Sequence, residues 1–376
     1  AALCITHDCN LRCRYCYSQP KKRRSMDFET AKASLDFLHS HSVGKCTVTF
    51  FGGEPLLEFD IMMKIVEYSR SQYGRQFEFR LSTNGTLLDE GILKYLKDNE
   101  IYFVLSLDGT KEQHDANRIR PDGQGSYDAI NKKIGKILKT NPYTIAVSVI
   151  APNTIGHLAD GVGHLFGLGF RYVLQTLDYS ANWQESDLKK LSKQYAALSE
   201  YYKRQIEAGK KIYYSPFDER IKTHAQKPYC KGDICDLANT QIAISASGMI
   251  YPCVQFINGD SATDRVNCIG SVETGFDIGQ RNRFVELNYA NRAGCAGCAL
   301  EGRCATYCGC VNYRATGRLD EVPAVICEHE RMLLPIVDRL ANDLWTKRST
   351  LFKRKFYEKT FPISSYIEDC MVEKGL

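Results

Sequence analysis

Sixteen cysteines in a chain of 376 residues constrain this sequence more than any other feature, because of where they fall. Cys9, Cys13 and Cys16 lie within eight residues, and most of the others fall between Cys230 and Cys327. Disulfide frameworks belong mainly to small secreted domains that cannot build a core. This chain is long enough for two domains, or for one large barrel with an appendage. No signal peptide is visible. Tight Cys-x2-Cys and Cys-x3-Cys spacings instead direct thiolates onto metal, and the expected location is a reducing cytoplasm.

Composition narrows the classes further. Apolar residues at 44% and charged residues at 25% suit a globular chain with a sizeable core, and exclude a disordered tail or a collagen-like fibre. No run approaches the roughly 18 apolar residues that span a bilayer, so no membrane partner is expected. The formal charge of +5 is modest, and anionic iron–sulfur clusters offset most of it, so no nucleic-acid partner is implied.

The first half alternates β-rich runs (3–6, 47–51, 77–82, 102–107, 144–150 and 172–176) with amphipathic segments at 28–41, 61–73, 127–138 and 155–166. A longer helical stretch follows at 185–207. Strands and helices in alternation predict an α/β fold with a parallel sheet and right-handed crossovers. The runs are almost wholly apolar, as when both faces of a sheet are covered. A doubly wound sheet and a full or partial barrel fit equally at this point. Beyond Pro228, cysteine and glycine become dense and long periodicity stops, which predicts a second unit held by ligands more than by core. Apolar periodicity returns after His329 through Met332, Leu333, Ile336, Val337, Leu340 and Leu344, a terminal helix packed back on the body. The expected divisions are residues 1–225, 226–330 and 331–376. The chain begins at its first strand without methionine, so an upstream segment is expected.

Cys9, Cys13 and Cys16 read Cys-x3-Cys-x2-Cys just after the first strand. Three thiolates can wrap one cubane and leave its fourth iron open, the condition for reaction rather than structure. Zinc is the alternative; it wants a fourth ligand, for which His7 is the local candidate. The stretch from Cys9 to Tyr17 (CNLRCRYCY) resembles the signature of the radical S-adenosylmethionine (SAM) enzymes. Gly52-Gly53-Glu54-Pro55 resembles that family's motif for the SAM amino group and carboxylate, with glycines for close approach and Glu54 as acceptor for an ammonium. Ser82-Thr83-Asn84-Gly85 and Ser106-Leu107-Asp108-Gly109 resemble its ribose- and methionine-contacting segments. His114 to Arg118 (HDANR) resembles a stretch of its peptide-modifying branch. The motifs follow consecutive strands, where parallel barrels collect their active-site groups. The resemblance spans about residues 1–180 and implies a partial (β/α)6 TIM-like barrel.

The later cysteines resemble the seven-cysteine pattern of the SPASM extension: Cys235, Gly248, Cys253, then Cys295, Cys298, Cys304, Cys308, and finally Cys327. That resemblance implies two auxiliary 4Fe–4S clusters, three in all with the SAM-binding one. Cys295, Cys298, Cys304 and Cys327 would hold the distal auxiliary cluster, and Cys235, Cys253 and Cys308 the nearer one, with Cys230 as its fourth ligand. A zinc ribbon is the alternative, although seven or eight thiolates suit two clusters better. Cys4 and Cys46 read as buried hydrophobes, and Cys310 as a substitute for Cys230 or a catalytic thiol. Cys268 and Cys370 receive no role.

The resemblance further implies reductive cleavage of SAM to methionine and a 5′-deoxyadenosyl radical, which takes hydrogen from an unactivated carbon. A flavodoxin- or ferredoxin-type partner supplies the electron, and the auxiliary clusters accept the one the product releases. The expected substrate is a ribosomally made precursor peptide, cysteine-rich and carrying a leader, in which thioether or carbon–carbon links are installed. Sulfatase-maturing relatives resemble one another in an aspartate directly after the second array cysteine, but Val254 and Gln255 follow Cys253 here. That enzyme class is the alternative, and an iron–sulfur electron carrier the non-enzymatic one. Without Cys230, the nearer cluster would offer an open iron to a substrate thiolate. The upstream segment would be a winged-helix element gripping the leader. Lys21-Lys22-Arg23-Arg24 reads as a solvated loop, or a dock for an acidic leader or reductase. Tyr172, Tyr179, Tyr213 and Tyr214 are expected to line a peptide channel, and Gln175 and Arg171 to face the SAM pocket.

Overall fold

The computed structural model describes residues 1–18, 23–226, 229, 235–257, 260, 262–292, 294–304 and 308–373. Six strands lie side by side in chain order, each parallel to the next: β1 (Ala2–Thr6), β2 (Cys46–Gly52), β3 (Phe77–Thr83), β4 (Tyr102–Ser106), β5 (Ile145–Ile150) and β6 (Tyr172–Leu177). The crossovers carry α1 (Phe28–His41), α2 (Phe59–Tyr73), α3 (Glu90–Asp98), α4 (Lys111–Asp115), α5 (Tyr127–Asn131), α6 (Ile134–Thr140) and α7 (Leu158–Gly167). Local chemistry sets the starts: Asp27 and Asp89 cap α1 and α3, accepting from the N–H groups of Thr30 and Ile92. The single helix expected over 127–138 is two short ones, interrupted at Lys132 and Lys133.

The strands are less uniformly apolar than expected. In β3, Phe77, Phe79 and Leu81 are buried while Glu78 and Arg80 are exposed. The sheet is open, with β-edges that do not meet, so solvent reaches one face. That face carries Thr49, Phe51, Ser82, Val104, Ser106, Val147, Val149, Leu174 and Thr176 toward a cavity at the C-terminal ends of the strands.

After β6 come α8 (Glu185–Glu207), β7 (Tyr213–Tyr214), parallel to β6, and α9 (Ser215–Ala225). The chain then crosses to the other edge. β8 (Ala243–Ile244) adds parallel to β1, and β9 (Met249–Tyr251), β10 (Gly270–Ser271) and β11 (Gly275–Phe276) continue antiparallel, giving one sheet of eleven strands. The cysteine-rich part therefore has apolar core of its own making, with Ile244, Ile250, Tyr251 and Phe256 buried in continuity with β1. Helices α10 (Ile278–Tyr289), α11 (Gly309–Thr316), α12 (Ala324–Thr346), α13 (Thr350–Tyr357) and α14 (Phe361–Glu373) complete the chain. The apolar stripe of α12 packs on α8 and α9. This helix starts at Ala324, directly after Pro323, so Cys327 lies in its first turns. No helix among the described residues is long and apolar enough to cross a membrane.

Candidate active site

The chain leaves β1 at Thr6 and enters the loop that carries Cys9, Cys13 and Cys16. The loop is pinned from the strand ends beside it. Arg12 N–H donates to Ile119 O (2.7 Å) and Arg14 N–H to Asn117 O (2.9 Å), so the 114–118 stretch braces it through backbone. The Asn84 amide donates to Asn10 Oδ1 (2.8 Å) and lies 3.9 Å from Cys9 Sγ. The three thiols are close enough to perturb one another, and burial holds Cys13 up at about 11. Ligation at this loop must therefore release protons.

Gly52 and Gly53 serve this loop. A Cβ on Gly52 would lie 2.1 Å from Thr6 O, and one on Gly53 would lie 1.9 Å from Asp8 O. Gly52 also has φ +138°, which disfavours any side chain. Their absent side chains let the β2 end approach the β1 loop, where the sequence suggested approach to a ligand. Pro55 is buried at the start of a short 3-10 turn and does not line the cavity.

Glu54 lines the cavity but is 1% exposed. Its carboxylate accepts from Thr83 Oγ1 (2.8 Å), Asn84 N–H (2.7 Å) and Leu56 N–H (3.1 Å), so it clasps the β2 and β3 ends together. Burial pushes its pKa up to about 7 against those three hydrogen bonds, which act to lower it. Four acceptor sites less three bonds leave one for a further donor.

Ser82, Asn84, Ser106 and Arg118 also line the cavity. Asp108 lies beneath it, fully buried, accepting from Arg118 Nη2 (3.1 Å), Val149 N–H (3.0 Å) and the Tyr15 hydroxyl. Burial opposes the Arg118 charge, and Asp108 more than offsets it, leaving the guanidinium pKa raised. Its Nε is buried without a partner, a donor left for a ligand. Asp108 thus positions Arg118 and Tyr15 instead of touching a ligand itself.

Two expected residues sit elsewhere. Gln175 bonds Ser148 Oγ (3.0 Å) and the Tyr214 hydroxyl inside the body and does not line the cavity. Arg171 precedes β6 at its N-terminal end and pairs with Asp369 of α14, at the far end of the sheet from the site. Of the four tyrosines, Tyr179 lines the cavity, whereas Tyr214 is fully buried and Tyr172 and Tyr213 pack together, ring centroids 6.1 Å apart.

The cavity holds about 530 Å³, within the range for small-molecule sites. Its floor is the strand ends and the cysteine loop. Its wall includes Gln255, Val311 and Arg314 from the cysteine-rich part, together with Asp178 and Ser180 after β6. Arg314 stacks on Tyr17 (5.4 Å), joining the two parts across the mouth. Arg314, Asp178 and Gln255 lie in no recognisable motif, and their placement depends on contacts far apart in sequence.

The later cysteines gather into two sets. Cys235, Cys253 and Cys308 perturb one another's ionisation, as do Cys295, Cys298, Cys304 and Cys327. Burial lifts Cys235 to about 12, whereas hydrogen bonds from Cys310 lower both Cys253 and Cys308. Among the described residues the cysteines form no disulfides, and no three His, Cys, Asp or Glu side chains converge at the spacing of a single ion. Zinc would hold its sulfurs about 2.3 Å from one point, whereas a cubane places each thiolate on a separate iron. The donor chemistry of both sets fits iron–sulfur clusters. Cys230, Lys21 and Lys22 lie outside the described residues.

Residues 3–150 match the Radical SAM superfamily. An uncharacterized protein of Methanocaldococcus jannaschii is 27% identical over 71% of this chain and 86% of its own length. The cysteine-type anaerobic sulfatase-maturating enzyme of Clostridium perfringens is 23% identical over 80% of this chain and 85% of its own. Among solved structures, anSMEcpe with bound AdoMet superimposes with a TM-score of 0.76 at 20% identity, covering 94% of this chain and 97% of that one. Streptococcus suis SuiB bound to precursor peptide SuiA gives 0.60 at 15% identity, covering 87% and 75%.

Proposed function

We propose, from the premise that residues 3–150 belong to the radical SAM superfamily, that this chain is an enzyme that oxidatively modifies a peptide by hydrogen-atom abstraction. The observation that carries the reading is the single cavity walled by both the cysteine loop and the cysteine-rich part. A peptide carbon placed there lies between the SAM site and the second set of thiols. Cys9, Cys13 and Cys16 would hold the SAM-binding 4Fe–4S cluster. Cys235, Cys253 and Cys308, and separately Cys295, Cys298, Cys304 and Cys327, would hold two auxiliary clusters. When bound, a reduced cluster with SAM supplies a 5′-deoxyadenosyl radical at an otherwise unreactive carbon.

The chain's own residues orient the ligand. Glu54 offers its remaining acceptor site to the SAM ammonium, and Arg118 its unpartnered Nε to an anionic or carbonyl oxygen. Ser82 and Ser106 present hydroxyls on the cavity face of β3 and β4. The Tyr17–Arg314 contact narrows the mouth and helps exclude water.

Thioether installation in a cysteine-containing precursor is the leading reading. Sulfatase-type oxidation is the second, favoured by the likeness to the Clostridium perfringens enzyme and to anSMEcpe, which has also been solved with the Cp18Cys peptide. Val254 and Gln255 after Cys253 weigh against it. Intact mass of co-expressed candidate peptides separates them. Loss of two hydrogens with a blocked thiol marks a thioether, and conversion of a cysteine or serine to an aldehyde marks the sulfatase type. Reduced protein that releases no 5′-deoxyadenosine from SAM overturns both.

Two predictions arise from the site. Gly53→Ala drives a Cβ into the Asp8 carbonyl, backbone that cannot swing aside. The cysteine loop shifts, and anaerobically reconstituted protein loses about four irons at this site while keeping those of the second array, as counted by iron and sulfide assay. SAM affinity depends on Glu54. Its carboxylate form holds the ammonium, and that form is depleted about tenfold per unit below pH 7. Calorimetric affinity should therefore rise with pH up to about 7 and level off above it, and Glu54→Gln should flatten the profile at its weak end.

A further inference from the structure

Cys310 is two residues beyond Cys308 and outside the seven-cysteine pattern, yet it is 2% exposed and faces other thiols. Its thiol is hydrogen-bonded to both Cys253 and Cys308. Cys235 in turn lies within reach of Cys253 and Cys308. Four thiols of the described chain therefore share one buried region, matching in number the quartet of Cys295, Cys298, Cys304 and Cys327.

We infer that Cys310 is the fourth protein ligand of the nearer auxiliary cluster, completing Cys235, Cys253 and Cys308. The inference rests on the reading above that two auxiliary clusters are present. Local construction supports it. Cys308 caps α11 and Cys310 is the second residue inside that helix, so both project from its positive end. Cys308 receives the N–H groups of Val311 and Cys310, and Cys253 those of Val254 and Gln255. Such bonds suit sulfur that carries cluster charge. Asn288 fixes the spacing: it is fully buried, and its amide donates to Cys235 O (2.7 Å). A Cβ on Gly309 would stand 2.7 Å from Asn288 Oδ1, so glycine lets the start of α11 close on the Cys235 segment. The side chains that bring α11 to Cys235 thus also bring Cys310 to the cluster.

The consequence is chemical. A cubane with four thiolates has no open iron, so the nearer cluster would not bind a substrate thiol directly, and Cys230 would be dispensable for it.

The test uses the full chain with Cys9, Cys13 and Cys16 all replaced by alanine, reconstituted anaerobically, so that only auxiliary iron is counted. The parent should hold about eight irons in two cubanes. Adding Cys310→Ala should reduce this to about four, or leave a three-iron cluster visible by electron paramagnetic resonance. Adding Cys230→Ala should retain about eight with unchanged spectra. Cys310→Ser preserves side-chain size, and the spectrum of the distal cluster reports that the fold survives. If Cys310→Ala and Cys310→Ser retain all the iron and the parent's spectra, while Cys230→Ala loses half, Cys310 is only a neighbour of the ligands and the inference falls. If the parent binds no iron, the auxiliary-cluster reading itself falls.

Discussion

Replacing Cys13 with alanine is expected to abolish 5′-deoxyadenosine formation, a loss of at least about 10³-fold, equivalent to roughly 4 kcal/mol of barrier. The reason is ligand count. Cys9, Cys13 and Cys16 supply three thiolates, the number that leaves one iron open for SAM, and two thiolates do not hold a cubane. Cys13 is the informative choice because its neighbours are independently anchored. Arg12 and Arg14 each donate a backbone N–H to the 117–119 segment, and alanine keeps both bonds. The loop should stay in place while the ligand is lost, so circular dichroism and second-array iron should match the parent. Tyr15 should also keep its hydrogen bond to Asp108, since neither side chain depends on the thiol. Measured by chromatography after dithionite reduction, SAM cleavage that persists in this variant would remove the loop from the reaction and revive the electron-carrier alternative.

Much of this site is legible in the sequence because its information is local. Three cysteines in eight residues must share a loop, and motifs following consecutive parallel strands must share an end of the sheet. What escaped is what depends on direction or distance. Arg171 and Gln175 are close in sequence to the end of β6, yet Arg171 lies before the strand, with Asp369 as partner, and Gln175 points away from the cavity to Ser148 and Tyr214. Asp108 carries the expected motif but spends its oxygens on Arg118, Val149 and Tyr15. Gly52 and Gly53 were recognisable as close-approach residues, but the approaching group is the Thr6–Asp8 backbone, a pairing 46 positions back in the chain. The junction of the cysteine-rich part with the edge of β1 rests on the two-residue strand β8, too short for any periodicity. That junction brings Gln255, Val311 and Arg314 to the cavity wall.

The second large effect should come from the pair Arg220–Glu330, which joins α9 to α12 beneath the distal cysteine set. Arg220 Nε donates to Glu330 Oε2 (3.0 Å) and Nη2 to Oε1, a two-pronged contact between side chains 8% and 0% exposed. Burial alone would disfavour the Arg220 charge, and Glu330 more than restores it, leaving the pKa raised. Arg220→Met strands a carboxylate where water does not reach, and breaking a buried pair in this way costs about 3–5 kcal/mol. The urea midpoint of the variant should fall accordingly, with the deficit shrinking as Glu330 is protonated at low pH. The double variant Arg220→Met with Glu330→Leu should recover most of the loss, because two apolar side chains can fill the space without an uncompensated charge. A functional signature should accompany the structural one. α12 begins with the turns that hold Cys327, and Cys304 lies close enough to feel both charges. Loosening α12 should therefore reduce iron retention at the distal set in the single variant, and the double variant should restore it. Equal stability of the single variant and the parent would mean that water reaches Glu330 and that the contact is a surface pair in energetic terms.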